Sequence, residues 1–218
     1  MAAIIALMGI DGSGKSSLGR AVCEKLTARG DKAVFVWASL RPVLLKPFIK
    51  LAKYMLVRKH DKFKDYEKHM SVKRAGMKKL GWMHGIYFFV MMIDYIPQVI
   101  YKVAWPRLCG KHVICDRYYH DLMLDYCAQV NAPADKVVRL VNLCGKLLPA
   151  PDLTYLVHVS PEVAMSRKTD IPAQQYLEDR MVAYQEVIKA ISGNILDGTL
   201  SLDENSDVIL EGMANLEH

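Results

Sequence analysis

The first residues with recognisable chemistry are those of Gly9–Ser16, whose sequence G-I-D-G-S-G-K-S matches the pattern G-x-x-x-x-G-K-[ST] in full. Glycines let such a loop wrap closely, so that successive backbone N–H groups point inward at phosphate oxygens. Lys15 is placed to reach the β- and γ-phosphates, and the Ser16 hydroxyl is placed to ligate Mg²⁺. The pattern predicts an ATP-binding loop. Its predicted ATP-binding residues are Gly9, Gly12, Ser13, Gly14, Lys15, Ser16 and Ser17.

A second candidate is Asp116, which ends the apolar run His112–Cys115. Parallel sheets bind ligands at the carboxyl ends of their strands, and an acid there can hold a metal directly or through water. Arg117 follows and can contact a phosphate with two N–H groups. Alone, Asp116 would be explained as a turn cap, but with the glycine loop we expect it to bind Mg²⁺ together with Ser16.

A third candidate is a short lid at about 167–180. Ser160–Glu162 has the residues of a helix start, with Ser as the cap, Pro in the first position and an acid in the first turn. Arg167, Lys168 and Arg180 would supply positive charge from a mobile segment, and Arg180 is also a predicted ATP contact. The alternative is that some of these cations face solvent on their helices.

Asp11 lies inside the glycine loop but is not needed to bind phosphate. Its carboxylate could accept a hydrogen bond from a substrate hydroxyl, or it could form a turn within the loop. Both interpretations stay open. With Lys15, Asp116 and Arg167, it completes the predicted catalytic set.

The elements that must position these residues form a strand, turn, helix and strand, followed by further strands. This order predicts an α/β P-loop NTPase fold with a five-stranded parallel sheet flanked by helices, because uninterrupted apolar strands are covered on both faces. The expected strands are Ala2–Met8, Lys32–Trp37, His112–Asp116, Leu153–Val159 and Asp207–Leu210, and the first helix is Lys15–Arg29.

The region from about 41 to 110 is predicted to be helical and strongly basic. Between Arg41 and Lys111 there are 16 Lys or Arg and 4 Asp or Glu, within a chain of net charge +6. An anionic partner or a solvated helix face would each explain this. Its apolar part, Trp82–Ile100, contains His84, Asp94 and Pro97, so a buried core helix is favoured over a membrane span. Peripheral membrane contact through the basic portion stays open.

Length and composition fit an ordinary globular protein. The 218 residues allow one large domain or two small ones, and the 52% hydrophobic content excludes a disordered chain. Five scattered cysteines without a C-x-x-C pair fit a reducing cytosol. We expect one cytoplasmic domain over 1–215, no signal peptide in the short N-terminal apolar run, and a tag remnant at 216–218.

These motifs together resemble the thymidylate kinase family over nearly the whole chain. The family's F-E-G-x-D-G-x-G-K-S/T opening is similar to Leu7–Ser16, although Met8 replaces the acid. Four further segments are similar to the family's patterns. They are Asp116–Tyr118 for D-R-Y, Pro151–Ala164 for P-D-L-T-x-x-L-x-V-x-P-E-x-A, and Arg180–Tyr184 for R-x-x-Y, with Leu196–Gly198 similar to the closing I-D-A strand end.

The resemblance implies ATP- and Mg²⁺-dependent phosphorylation of a nucleoside monophosphate, most directly dTMP to dTDP. It implies that Asp11 contacts the sugar 3′-hydroxyl and that Arg117 contacts the acceptor phosphate. One subgroup of the family carries an arginine in the glycine loop, where this chain has Ser13. The resemblance therefore implies that this chain belongs with the subgroup whose arginine comes from the lid. A homodimer through the apolar helices is implied, and no nucleic-acid partner is expected.

The acceptor side departs from the family. The R-E-P segment after the second strand is missing, so that Arg41 would have to stand in for its arginine, and the family's D-R pair is Asp94-Tyr95 here. The predicted acceptor-binding residues are Asp11, Arg41, Tyr95, Arg117, Tyr118 and Asp121. Three hypotheses stay open: a nucleoside monophosphate kinase, a kinase with another acceptor such as a deoxynucleoside or a sugar-linked substrate, and a nucleotide-binding module without activity.

Overall fold

The computed structural model describes residues 2–42, 46, 83–130, 132–168 and 174–216. The predicted basic helices before residue 83 and the middle of the predicted lid therefore lie largely outside the described residues.

The described part of the chain contains a five-stranded parallel sheet, as predicted. The strands are β1 Ile4–Met8, β2 Ala33–Trp37, β3 His112–Asp116, β4 Leu153–His158 and β5 Asn194–Asp197, and their order across the sheet is β2-β3-β1-β4-β5. Connections leave β1 and β3 in opposite directions across the sheet. The crevice where such connections diverge lies at the carboxyl ends of the strands, which is the usual ligand site of parallel sheets.

The central strand β1 explains why the sheet forms here. All five of its residues are buried. Ile4 and Ala6 pack into the core on one face of the sheet, whereas Ile5 and Leu7 pack into the core on the other. An uninterrupted apolar run therefore serves both faces, because successive side chains of a strand point in opposite directions.

The helices flank the sheet on both faces. In chain order they are α1 Lys15–Ala28, α2 Met83–Val99 with a π-helical continuation Ile100–Ala104, α3 Trp105–Leu108, α4 Tyr119–Val130, α5 Ala134–Leu147, α6 Pro161–Arg167, α7 Gln174–Ala190 and α8 Leu202–Ala214. Helices α1 and α8 pack together on one face. Buried residues of α2, α4, α5 and α7 join the core cluster of the other face.

The predicted fifth strand was wrong. Asp207–Leu210 lies inside helix α8, which starts with a capping box formed by Ser201 and Glu204. Its buried residues Asn205, Ile209 and Met213 recur every four positions, which is a helical period. The fifth strand is instead the shorter β5, in which Leu196 alone is buried, as expected of an edge strand.

The apolar helix α2 is buried along one face only, so the expectation of a buried core helix needs correction. Met91, Tyr95 and Val99 are buried, whereas Ile86 and Phe89 are 53% and 64% exposed. Among the described residues, one helical stretch, Gly85–Leu108, is long and apolar enough to cross a membrane by length and composition, with 33% of its most apolar part buried.

The predicted helix start at Ser160 is present. The Ser160 hydroxyl accepts a hydrogen bond from the Val163 N–H at 3.4 Å, and Pro161 is the first residue of α6. Helix α6 ends at Arg167, and α7, which carries Arg180, begins at Gln174. The two helices that should border the lid are therefore where the sequence placed them.

Candidate functional site

The glycine loop between β1 and α1 is held tightly against its neighbours. Gly12 has a φ of +86°, and a Cβ atom at this position would lie 2.5 Å from the backbone carbonyl oxygen of Ala164 in α6. Gly14, with a φ of +92°, directly precedes helix α1. Both the left-handed backbone and the close approach require glycine, and they aim the loop at the amino end of α1.

Lys15 is buried at the base of this loop, with 5% of its surface exposed. Its ammonium group donates hydrogen bonds to the Ile10 carbonyl at 2.7 Å and to the Ser13 hydroxyl at 3.2 Å. The pKa of Lys15 is lowered to about 8, mainly by burial and also by the nearby Arg117, although surrounding carboxylates offset part of the shift. Lys15 is thus a buried cation that an anionic ligand would stabilise.

Ser16 and Asp116 lie together, as the metal prediction requires. The Ser16 hydroxyl donates a hydrogen bond to the carboxylate of Asp116. Strands β1 and β3 are neighbours, and Leu7 is paired with Asp116, so the loop after β1 begins beside this carboxylate. The register of two parallel strands therefore joins residues that are 100 positions apart.

The oxygen donors of Ser16 and Asp116 suit Mg²⁺, which is seldom bound by protein ligands alone. Among the described residues, no group of three or more His, Cys, Asp or Glu side chains is placed to hold a metal ion. Mg²⁺ in nucleotide sites takes one or two protein oxygens and completes its shell with phosphate oxygens and water. Ser16 and Asp116 offer that limited set.

Arg117 and Asp11 form an ion pair across the cleft floor. The Arg117 guanidinium donates to the Asp11 carboxylate, and its other nitrogen lies 3.9 Å from Asp121. Arg117 has a φ of +63°, which is uncommon for a residue other than glycine and is typical of functional positions. Burial alone would raise the pKa of Asp11, but Arg117, Lys15 and further cations lower it overall.

Arg180 contacts α4 beside the cleft. It donates to the carboxylate of Asp125 and to the Tyr184 hydroxyl, the latter at 3.2 Å. The Tyr184 hydroxyl in turn donates to Asp121 at 2.6 Å. This chain of contacts links the helix after the predicted lid to the helix that follows Arg117.

Asp121 and Tyr118 are buried beneath the residues that line the cleft. Asp121 is 1% exposed and accepts from the Tyr118 N–H at 3.2 Å. Burial raises the pKa of Asp121, although Arg117 opposes the shift. The Tyr118 hydroxyl donates to the Pro149 carbonyl at 2.8 Å, which directs it into the core. Neither residue lines the cleft, and their predicted acceptor contact would have to be indirect.

Tyr95 and Arg41 also lie away from the cleft surface. Tyr95 is 1% exposed, and its hydroxyl donates to the Ala38 carbonyl at 2.9 Å. The Arg41 guanidinium lies over the ring of Trp37, 5.1 Å from the ring centroid. An acceptor phosphate held by two arginines would require Arg41 and Arg117 to converge on one site. Of these two arginines, Arg117 lines the cleft and Arg41 does not.

One open cleft of about 640 Å³ lies at the carboxyl edge of the sheet, and Asp11, Lys15, Ser16, Asp116 and Arg117 line it. A smaller groove of about 370 Å³ adjoins it between α1 and the start of α8. Arg167 lines both, and its guanidinium donates to the Gly198 carbonyl at 3.0 Å. The cleft lining consists of Asp11, Gly12, Gly14, Lys15, Ser16, Ser17, Trp37, Ser39, Asp116, Arg117, Asp125, Arg167 and Lys168.

Sequence reasoning missed Trp37, Ser39 and Asp125 as cleft residues. Trp37 pairs in register with Asp116, so it ends its strand at the same edge of the sheet. That edge was predictable once Lys32–Trp37 had been recognised as a parallel strand. Asp125 lies two turns into α4 and carries no local signal.

Comparison with known proteins gives two findings. No family model matches this chain. Thymidylate kinase from Chlamydia caviae is 32% identical over 124 residues, which is 54% of this chain and 56% of that protein. The chain thus matches about half of this relative's length. The resemblance noticed in the motifs is confirmed over that part.

Among solved structures, deoxyadenosine kinase from M. mycoides is similar over 97% of this chain and 99% of its own length, with a TM-score of 0.54. That structure was solved with dCMP and a flexible dCDP as bound products. At 16% identity the similarity concerns the fold. The chain has the predicted α/β P-loop NTPase fold.

Proposed function

We propose that this chain transfers the γ-phosphate of ATP to a nucleoside monophosphate, with dTMP as the first acceptor to test. One observation carries the proposal: the hydroxyl of Ser16 and the carboxylate of Asp116 meet beside the buried Lys15 on the floor of an open cleft. Phosphoryl transfer needs little covalent chemistry from a protein beyond positioning and compensating charge, and these residue types supply both.

The triphosphate would lie along the loop of Gly9–Ser17. The N–H groups at the amino end of α1 and the Lys15 ammonium would bind its oxygens, while the adjoining groove has room for the rest of the donor nucleotide. Mg²⁺, held by Ser16 and Asp116, would neutralise phosphate charge when bound. Arg167 lies between cleft and groove, where a cation can stabilise the charge that develops on the transferred group.

The acceptor would enter on the side of Trp37 and Asp125, opposite the groove. Arg117 is the arginine of that side placed to bind an acceptor phosphate, and Asp11 beside it could accept from a sugar hydroxyl. Asp121, Tyr118 and Tyr95 would act by holding this side in shape rather than by touching the acceptor.

A second acceptor class has an observation in its favour. Arg41 stacks on Trp37 outside the cleft, so it does not join Arg117 at one phosphate site, and the carboxylate of Asp125 lines the acceptor side. A single arginine that is already paired with Asp11 suits an uncharged hydroxyl acceptor, such as a deoxynucleoside, better than two free arginines would. The similarity to a thymidylate kinase and to a deoxyadenosine kinase is compatible with either acceptor.

The remaining parts of the proposal concern the whole chain. Residues 1–215 would form a single kinase domain with a lid at about 167–180, acting on small nucleotide substrates. All five cysteines are free thiols, as suits a cytoplasmic protein.

The test is an assay of ATP consumption with Mg²⁺ across a panel of nucleosides and nucleoside monophosphates. We expect turnover on dTMP that disappears in Lys15→Ala and that falls about 100-fold in Arg117→Ala. Arg139→Ala is the matched control, because the side chain of Arg139 is 80% exposed and, among the described residues, pairs with Asp135 of its own helix.

The panel also separates the hypotheses. If Arg117→Ala reduces turnover of monophosphates but spares nucleosides, the arginine binds an acceptor phosphate. Turnover of nucleosides alone would favour the second acceptor class. ATP binding without turnover of any acceptor would support the hypothesis of a nucleotide-binding module without activity.

A further inference from the structure

The outer face of α2, its π-helical continuation and α3 carries an apolar stripe that is largely exposed in the described structure. The stripe consists of Ile86, Phe89, Ile93, Ile100, Tyr101, Trp105 and Leu108, and each is between 42% and 82% exposed. The positions follow one another at steps of mostly three or four residues, so they lie along one side of a helical rod. An exposed apolar patch of this length marks an interaction surface.

We propose that this stripe binds the surface of an anionic lipid bilayer, with the helical rod lying in the plane of the membrane. The proposal does not depend on the phosphotransferase reaction. It rests on how the rod is anchored, on the charges beside the stripe and on the residue types at its carboxyl end.

The rod is anchored in the core along its opposite face and cannot cross a bilayer. Met91, Met92, Val99 and Val103 are buried there, and the Tyr95 hydroxyl donates to the Ala38 carbonyl. A spanning helix would have to give up all of these contacts. By length and composition Gly85–Leu108 could span a membrane. Because its inner face is held in the core, the rod can bury its outer face in a bilayer only when it lies in the plane of the membrane.

The charges beside the stripe are positive. Lys102, Arg107 and Lys111 follow its carboxyl half in the sequence, and Asp94 is the one acid between Gly85 and Lys111. Arg107 is paired with Asp152 at 3.0 Å and Lys102 donates to the Trp37 carbonyl at 3.5 Å, whereas Lys111 is exposed. Asp94 is 5% exposed and therefore shows little negative charge at the surface. Each basic residue near an anionic leaflet strengthens binding, and the basic composition of 41–111 acts in the same direction.

The residue types also fit a bilayer interface. Tyr101 and Trp105 have apolar rings with a polar atom, which suits the level of the lipid headgroups. The exposed Lys111, beyond the last of these helices, can reach phosphate groups while the stripe is covered.

A second copy of the chain fits this surface less well. In a two-fold contact both partners present the same residues, so the stripe of one copy would bring no acid to the other's Lys102 and Lys111, while Arg107 is already paired with Asp152 of its own chain. An anionic bilayer supplies the missing negative charge.

The experiment is flotation of the full chain with vesicles of phosphatidylcholine alone or with 30 mol% phosphatidylserine (about the anionic fraction of an acidic leaflet). We expect binding to the anionic vesicles that falls at least tenfold in Tyr101→Glu/Trp105→Glu and several-fold in Lys111→Glu. The matched control is Leu143→Glu/Val182→Glu, which places two glutamates at exposed apolar positions on other helices. This control should bind like the unchanged chain.

Three results would overturn the proposal. The first is equal binding to neutral and anionic vesicles, or none to either. The second is an equal loss of binding in the control variant. The third is a mass of two chains in sedimentation that returns to one chain in Tyr101→Glu/Trp105→Glu without any binding to vesicles, because the stripe would then be a contact between copies. Circular dichroism of each variant checks that the fold is retained.

Discussion

Lys15 shows how one residue joins the energetics of the fold to the proposed chemistry. Its ammonium is buried, and the pKa is lowered to about 8 by that burial and by Arg117. The cation is therefore retained at neutral pH at some cost to stability. A bound triphosphate would favour the charged form and raise this pKa again.

The lowered pKa predicts that ATP binding weakens with rising pH. Above pH 8 the free protein loses the Lys15 proton, so binding must recover it, and the Kd for ATP should rise roughly fivefold to tenfold between pH 8 and 9. Titration calorimetry over pH 7 to 9.5 measures this. In Lys15→Arg the side chain stays charged throughout the range, and the dependence should be absent. The same pH profile in both proteins would show that another group is responsible.

His120 predicts a pH dependence of stability that is separate from the cleft. It is 2% exposed and stacks on Tyr119, and its Nδ1 atom is the buried side-chain atom without a hydrogen-bond partner in the described residues. Burial lowers the pKa of His120 to about 3. The unfolded chain takes up a proton below about pH 6.5 while the folded chain does not, so the stability is complete above that pH and falls as the pH drops.

The expected loss from His120 is about 1.4 kcal/mol of unfolding free energy per pH unit below 6.5. Urea denaturation at pH 7.5, 6, 5 and 4.5 measures the slope, and His120→Phe should make it shallower. The comparison concerns slopes, because the larger ring can change the absolute stability. Parallel profiles for the two proteins would mean that His120 is not the titrating group.

At the scale of elements, the glycine loop is held by α6 as well as by its own backbone. Gly12→Ala would combine a strained φ with a contact of 2.5 Å to the Ala164 carbonyl, whereas Gly30→Ala has a similar φ of +92° with nothing within 4 Å. Gly30→Ala should lose about 1 kcal/mol of stability through the strained φ, and Gly12→Ala should lose more, because the backbone must also move away from the carbonyl. Only Gly12→Ala should also displace the loop and lower turnover, by about 100-fold.

The pair of alanine variants is compared by thermal unfolding and by the ATP-consumption assay. Gly30 serves as the control because it shares the backbone strain and lies at the far end of α1. Equal activity in both variants would show that the loop tolerates the movement and that the contact with α6 does not position it.

The elements that could be predicted were those whose signal is local. The strand before the glycine loop and the helix after it follow from apolar runs and a motif that few residues determine. Strand β5 was not predictable in the same way, since it pairs through backbone atoms at the sheet edge and buries Leu196 alone. Asp207–Leu210 has apolar residues in a row, but the capping box and the four-residue spacing of Asn205, Ile209 and Met213 decide for a helix.

The site residues that could be predicted are likewise those with a local signal in the sequence. Ser16 and Asp116 were predicted to meet because each ends a motif at the carboxyl edge of a parallel sheet, and they do. Tyr95 and Tyr118 were expected at the acceptor, yet both direct their hydroxyls to buried carbonyls. Which side of a helix faces a cleft depends on tertiary packing, so Asp125 gave no sign of its place, whereas the position of Trp37 at the sheet edge follows from its strand.

At the scale of the whole molecule, the cleft and the apolar stripe are separate surfaces joined at one point. Lys102 lies beside the stripe, and its ammonium is 5.8 Å from the ring centroid of Trp37, which lines the cleft. Arg41 lies on the same ring and also bonds to Gln98 of α2 through its backbone. A bilayer bound at the stripe would therefore approach the acceptor side of the cleft.

This arrangement predicts that membrane binding and turnover of soluble acceptors can be separated. None of the stripe residues lines the cleft, so Tyr101→Glu/Trp105→Glu should keep kcat and KM for a dissolved acceptor within about twofold while losing vesicle binding. Lys15→Ala should do the reverse, because its side chain is buried at the base of the glycine loop, where it contacts Ile10 and Ser13, and it forms no part of the outer face of α2. Paired flotation and turnover assays on both variants measure this. A loss of both properties in either variant would mean that the helical rod and the cleft act as one unit through Trp37, and that the stripe cannot be assigned a role of its own.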